Sequence, residues 1–425
     1  MANSQDSDRS YRRSYDRSYQ WKAVTLLGLG FGLVGLDRWI IAPLFPAIMK
    51  DLHLSYQDLG NLIGILGICW GVFAVVAGGI SDRIGRRKVL IPSIILFSIL
   101  SGLSGLAGGL LSLMVIRAVM GVNEGSFCPA SFAATNEASP PARRGINQGI
   151  QQSSFALFGL GFGPIIATQL LAVVPSWRWV FFIVAIPGLI VGALMYFVIR
   201  DPAPMTAEAN ASMNQRWVKI FHSRNVILCM AALLCAMTGV FVIGAMVPNY
   251  LIDYLHLSSA QMGFITSAIG FGGFVGQVAV PALSDFAGRK IMAILSFVGA
   301  AIGVQVFITT GASPIALFIV LAAISCCCLG VIGLITGPIS TESAPAGLVS
   351  SAIGIVVGSG EIFGGGIAPS IAGYVAQHYG IQNVLYLALV GVCIGAIVCL
   401  FLRETAPRRT RESSEMRLAT EVIAG

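Results

Sequence analysis

A set of apolar runs, each about 20 residues long, recurs from position 23 to position 402 and limits what this chain can become. A helix of that length crosses a hydrocarbon core of about 30 Å, whereas spanning β-strands need only about 9–11 residues and alternate in polarity. These runs do not alternate. As helices they fall at 23–47, 58–80, 89–109, 110–133, 146–172, 178–199, 225–250, 261–283, 290–310, 314–339, 350–376 and 382–402. Pro43, Pro92, Pro129, Pro164, Pro187, Pro248, Pro338 and Pro369 lie in or at the ends of them, where membrane helices tolerate proline and often bend. Only 11% of the 425 residues are charged, against about 25% in soluble domains. The expectation is an all-α membrane protein of twelve spans.

Lysine and arginine set the orientation. With both termini inside, inner segments hold 22 of the 26 cations, the outer loops hold Lys50 and Arg178, and Arg38 and Arg117 fall within helices. The net charge of +7 therefore reports topology and gives no case for nucleic-acid binding. The expected location is a bacterial inner membrane, with cytoplasmic tails at 1–22 and 403–425 and the first helix retained as a signal anchor. The repeated Arg-Ser-Tyr of DRSYRRSYDRSY reads as a disordered basic tail beside anionic headgroups.

All nine cysteines lie inside the apolar runs, so no disulfide or metal framework is expected. The GFGLVG at 30–35 spells a dinucleotide fingerprint but has no strand before it. No GxxxxGK cradle for ATP phosphates is present, and no nucleophile–base constellation survives the topology. Neither a cofactor nor an enzyme activity is expected.

The chain matches itself at a shift of 203 residues. LHLS at 52–55 falls on LHLS at 255–258, Gly60 on Gly263, Gly67 on Gly270, and SDRIGRR at 81–87 on SDFAGRK at 284–290. A duplication of six helices follows, with bundles at 23–199 and 225–402 joined by an inner linker at 200–224. Parallel repeats of this kind place a substrate site between the halves near mid-membrane, served by rocking of one half against the other.

GGISDRIGRR at 78–87 resembles the loop 2–3 signature of the major facilitator superfamily, with PALSDFAGRK as a weaker second copy. RAVMGVNEG at 117–125 is similar to that family's fourth-helix motif, and GLGFGP at 159–164 to its fifth-helix motif. The first-helix Asp-Arg pair, the Arg117-to-Glu124 spacing and SWRWVFF at 176–182 look most like the anion:cation symporter family. That resemblance implies import of an organic carboxylate (a sugar acid, hydroxy acid or aromatic acid) with protons, by a monomer. Bacterial spinster-like lipid or metabolite transporters share the Asp-Arg pair and the fourth-helix Glu, and drug:proton efflux antiporters share the fifth-helix motif. Both remain alternatives. The resemblance also implies a gating latch of Asp82, Arg83, Gly85, Arg86 and Arg87, with Asp285 and Arg289 in the second copy. There Phe286 replaces the first arginine, and a weaker latch is expected.

Five charged residues lie within the apolar helices: Asp37, Arg38, Arg117, Glu124 and Glu361. A charge at bilayer depth costs at least about 2.5–3.5 kcal/mol on insertion scales, so such residues face a cavity or a partner. Under the duplication Asp37, Arg38 and Glu124 align with Val240, Phe241 and Cys327, so only the first half carries this machinery. A guanidinium fork matches a planar carboxylate, which makes Arg38 the candidate substrate contact. Burial and a nearby guanidinium act in opposite directions on a carboxyl's proton affinity, which makes Asp37 and Glu124 candidate proton carriers with Arg117 assisting. The alternative is a permanent set of charges that neutralises itself, and for Arg117 a bracing role stands level with a functional one. Glu361, in VVGSGEIFGGG, reads three ways: contact with a substrate hydroxyl, a further proton carrier, or a hydrogen-bond partner for glycine backbone. Gln151, Gln152 and Tyr250 are candidates for hydroxyl recognition, each against the alternative of an interhelical hydrogen bond.

Overall fold

The computed structural model describes residues 17–140, 143–200, 219–345 and 348–406, leaving undescribed the side chains of 17, 78, 79, 82, 83 and 349–351. Most of the expected tails and linker, and the side chains of Asp82 and Arg83, thus lie outside the described residues. Within them the chain is all-helical, with twelve spans long and apolar enough to cross a membrane. They are α1 (Ser18–Leu52), α2 (Tyr56–Ile84), α3 (Arg86–Ser104), α4 (Leu110–Ala138), α5 (Arg144–Val173), α6 (Trp177–Val198), α7 (Arg224–Tyr254), α8 (Ser259–Ala287), α9 (Arg289–Thr309), α10 (Pro314–Ser343), α11 (Ala352–Tyr379) and α12 (Ile381–Leu400). The apolar runs at 89–109 and 110–133, which nearly touch in sequence, are separated by a turn at 105–109.

The repeat reappears in the backbone. His53 and His256, 203 residues apart, both take left-handed φ values of 52° and 54°, and so do Gly85 and Gly288 at φ 102° and 103°. In each LHLS the histidine ends one helix and the serine starts the next. Ser55 caps α2 in a reciprocal pair with Asp58, and Ser258 caps α8 with Gln261. At Gly85 and Gly288 the chain turns sharply from α2 to α3 and from α8 to α9, in a conformation that a side chain would strain.

Each half is packed by glycine. Gly121 and Gly125 of α4 lie against the backbone of Leu66 and Trp70 in α2, and Gly272 and Gly276 of α8 against Ala322 and Cys326 in α10. Without a hydrophobic drive inside lipid, such close backbone contact supplies the packing energy. Large apolar side chains such as Leu111, Val173 and Phe197 point outward, as lipid-facing surface requires. Of an 18-residue apolar stretch of α1, 83% is buried, and of the corresponding stretch of α7 72%, against 33% for α9. The helix that carries Asp37 and Arg38 is thus the one most enclosed by protein, which is what lets the membrane accept it.

One end of the bundle carries the described ends of the tails and linker: Arg200 N–H donates to Tyr19 Oη at 3.2 Å, and Asn225 Nδ2 to the Arg403 carbonyl at 3.2 Å. At the opposite end, the loop end, the two halves meet tightly. Gly60 and Gly67 of α2 abut the backbone of Pro369 and Gly365 in α11. Across the pseudo-twofold axis Gly263 and Gly270 of α8 abut Pro164 and Gly161 in α5. Tyr56 Oη donates to Asp253 at 2.8 Å and Gln57 Nε2 to the Ser370 carbonyl at 3.2 Å, both between halves. Helices α5 and α11 widen into π-helical turns at Ala156–Phe162 and Gly360–Ile367, beside these contacts.

Candidate functional site

A break in the hydrogen bonding of α1 builds the site. Ile40 keeps helical dihedrals and its N–H bonds the Leu36 carbonyl at 2.9 Å, but Pro43 lacks the N–H that would bond the Trp39 carbonyl. Arg117 crosses from α4 to this break, its Nη1 donating to the carbonyls of Asp37 at 3.2 Å and Arg38 at 3.0 Å. These two bonds tie α4 to α1, as a brace would. Asp37 turns to α3, where its carboxylate accepts from Ser101 Oγ at 2.8 Å.

Arg38 points the other way, into the interface between the halves. Its Nη2 donates to Glu361 Oε2 of α11 at 2.8 Å, with side chains only 1% and 7% exposed. Trp70 of α2 and Phe241 of α7 lie over the guanidinium at 4.6 and 4.8 Å, and Trp39 at 5.8 Å. Cation–π contact of this kind is worth about 2 kcal/mol where water is excluded. Phe241 is the residue that the 203-residue shift aligns with Arg38.

Several buried polar atoms at the centre have no hydrogen-bond partner among the described residues: Nε and Nη1 of Arg38, Nε and Nη2 of Arg117, Nε1 of Trp39 and Trp70, and both carboxyl oxygens of Glu124. Glu124 is fully buried on α4. It lies within electrostatic reach of Asp37, Arg38, Arg117 and Glu361. Buried polar groups are normally paired, and a concentration of free donors around one guanidinium is a place where an acceptor-rich molecule gains most.

The other expected residues divide. Gln151 is not free for hydroxyl recognition: its Nε2 donates to Ser131 at 2.8 Å and its Oε1 accepts from Thr135 at 2.5 Å, tying α5 to α4. Gln152 is half-buried beside it. Tyr250 is buried in the second half, stacked on Tyr254 at 5.1 Å and beside Phe307 at 6.1 Å. Glu361 pairs with Arg38 through its carboxylate, a contact that none of its three sequence readings included. The expectation of a weaker latch in the second copy turns on Asp82 and Arg83, whose side chains lie outside the described residues. Arg289 bonds Asp285 at 2.5 Å and Glu342 at 3.0 Å, donates to Ser284, and its backbone N–H reaches Glu404 at 2.8 Å. In the first copy Arg86 pairs with Glu137 at 3.1 Å, and Arg87 bonds the Tyr196 carbonyl and stacks on its ring. Glu342 stands near the end of α10 as Glu137 stands near the end of α4, and neither belongs to a motif singled out in the sequence, whereas Glu404 lies beyond the repeat.

Twelve helices in two pseudo-symmetric sets of six, with a polar centre between them, define a membrane transporter and not an enzyme. The profile of the Major Facilitator Superfamily matches residues 27–250 and again 229–424, and the chain belongs to that superfamily. It is similar to the hexuronate transporter of Bacillus subtilis, 30% identical over 60% of this chain and 62% of that one. It is also similar to a protein of Cupriavidus pinatubonensis named "Probable 4-methylmuconolactone transporter", 26% identical over 88% of this chain and 89% of that one. Among solved structures, a bacterial homolog of the human lysosomal transporter Spinster, in an inward-facing and unoccupied conformation, superposes with a TM-score of 0.73 at 15% identity, covering 90% of this chain and 97% of that one. That likeness shows the fold.

Proposed function

We propose that the protein is a proton-coupled symporter that imports an organic carboxylate across a bacterial inner membrane by alternating access. The observation that carries this reading is Arg38: a guanidinium between the halves, near the middle of the most enclosed helix, with two of its nitrogens lacking a hydrogen-bond partner among the described residues. The unpaired atoms around it are mostly donors, including two indole N–H groups, which favours a cargo rich in acceptors. Relatives named for hexuronate and for methylmuconolactone support an acid as cargo. Gln151 being engaged, hydroxyl recognition falls to other groups, with Gln152 and Tyr250 the remaining sequence candidates.

Neither carboxyl oxygen of Glu124 has a hydrogen-bond partner among the described residues, so Glu124 is the proton-exchanging group of the set, whereas Asp37 is held by Ser101. The tight contact at the loop end corresponds to the state closed on that side. With the tails in the cytoplasm, as the lysine and arginine distribution indicates, this is the state facing the cell interior. The arginine clusters around Arg86 and Arg289 lie at that cytoplasmic end, and their ion pairs to Glu137 and Glu342 are each made within one half. Net uptake of labelled glucuronate into proteoliposomes under an inside-alkaline pH gradient tests the reading. Accumulation that collapses with a protonophore and is lost in Arg38→Gln is expected. Uptake indifferent to the gradient, or extrusion of cationic dyes in its place, overturns it.

A further inference from the structure

We propose that Glu361 is a resident stand-in for the cargo's carboxylate: it holds Arg38 between the halves when the carrier is empty, and the cargo must displace it. The inference rests on Arg38 being the anion site and adds a competitor built into the chain. Arg38 belongs to the first half and Glu361 to the second, so their 2.8 Å contact bridges the surface along which the halves must move. The contact is a single hydrogen bond from one nitrogen to one oxygen, leaving Nε and Nη1 of the guanidinium without partners. A free carboxylate that reaches both prongs of the fork makes the stronger, bidentate contact. The resident is thus placed to yield to the cargo.

The helix around Glu361 is shaped for this task. Gly365 lies one turn on, and a methyl group there would meet Glu361 Oε2 at 2.6 Å. The widened turn at Gly360–Ile367 and this missing side chain leave room for the carboxylate to lie along α11 toward Arg38. The charged and titratable groups facing the pair are Glu124, Arg117 and Cys128 from α4, while Asp37 of α1 acts on Glu124 and Arg117 from the far side. Helices α2 and α7 contribute the rings of Trp70 and Phe241.

The consequence is a carrier that can return empty. A lone guanidinium moved through the closed intermediate has no water and no partner, and removing one partner of a buried pair leaves an uncompensated charge. Glu361 supplies the partner whenever the cargo has left, so net uptake continues where a carrier without it is confined to exchange. It also competes with the cargo and raises the concentration needed for half-saturation.

The test compares Glu361→Gln with wild type in proteoliposomes, using labelled glucuronate for both exchange and net uptake. In the variant the half-saturating concentration for exchange falls about tenfold, the factor expected if the pair leaves Arg38 free about one-tenth of the time. Net uptake falls relative to exchange. Gly365→Ala keeps the charge and presses the carboxylate off its position. It moves both readouts in the same direction, and covers the case in which Glu361→Gln fails to fold. An unchanged half-saturation and an unchanged ratio of net uptake to exchange in a folded variant overturn the inference while leaving the carboxylate reading intact. Loss of glucuronate binding in folded Glu361→Gln also overturns it, because Glu361 then contacts the cargo. Glucuronate transport that is absent, or that survives in Arg38→Gln, overturns the carboxylate reading and this inference with it.

Discussion

Gly67 and Gly270 occupy equivalent places in the two halves, and alanine at either is expected to pry the loop end apart. A Cβ on Gly67 would sit 2.5 Å from the Gly365 carbonyl oxygen and 2.7 Å from its carbon, and one on Gly270 would collide with the backbone of Gly161. Both obstacles are main chain, so no side-chain rotation relieves them and the helices must separate. Overpacking of a well-fitted contact costs about 1–3 kcal/mol, which at about 1.4 kcal/mol per decade shifts the balance between loop-end-closed and loop-end-open states about 5- to 150-fold. The cost applies only to the closed state, because the open state separates these same surfaces. Thr168 on α5 reports the change: it is buried, and its hydroxyl packs against Gly263. In purified protein carrying Thr168→Cys and Cys393→Ser, which removes the one exposed native thiol among the described residues, a bulky maleimide is expected to react faster by that factor in Gly67→Ala or Gly270→Ala. Labelling rates that stay at the parent value in both variants refute the claim that these glycines hold the loop end closed.

Two further outcomes follow from the polar centre. Glu124→Gln is expected to abolish accumulation driven by a pH gradient while leaving counterflow exchange measurable, because the site keeps its cation and loses the carboxyl that exchanges protons; persistent gradient-driven uptake assigns proton carriage elsewhere. Arg117→Met removes both hydrogen bonds to the broken turn of α1 and is expected to destabilise by about 2–4 kcal/mol, given about 1.5–3 kcal/mol for each bond to a charged group and the weaker values typical of membranes. The thermal midpoint of the detergent-purified protein checks it, and an unchanged midpoint removes the bracing role.

Much of the architecture was legible because membrane spans announce themselves by length, and because the 203-residue repeat carried its turn chemistry with it. LHLS marked the repeat, and in the structure both copies carry a left-handed histidine followed by a helix-capping serine. The site was legible only in part. Arg38 and Glu124 stood out because charge is rare at depth, but the sequence could not say which acidic residue faces which arginine. Asp37 adjoins Arg38 in the chain yet turns about a helix face away to Ser101, whereas Glu361, 323 residues distant, makes the ion pair. Contacts of that kind depend on how the halves dock. Gln151 misled for a related reason: a polar side chain in a membrane helix suits a cargo or a neighbouring helix equally well, and here Ser131 and Thr135 take it.

The central claim, that Arg38 receives a carboxylate, is tested most directly by tryptophan fluorescence, since Trp70 lies 4.6 Å from the guanidinium. Titration of purified protein with glucuronate is expected to give a saturable change that glucose, which lacks the carboxylate, does not reproduce and that Arg38→Gln abolishes. A saturable response of equal affinity to glucose, or one retained in folded Arg38→Gln, contradicts the account.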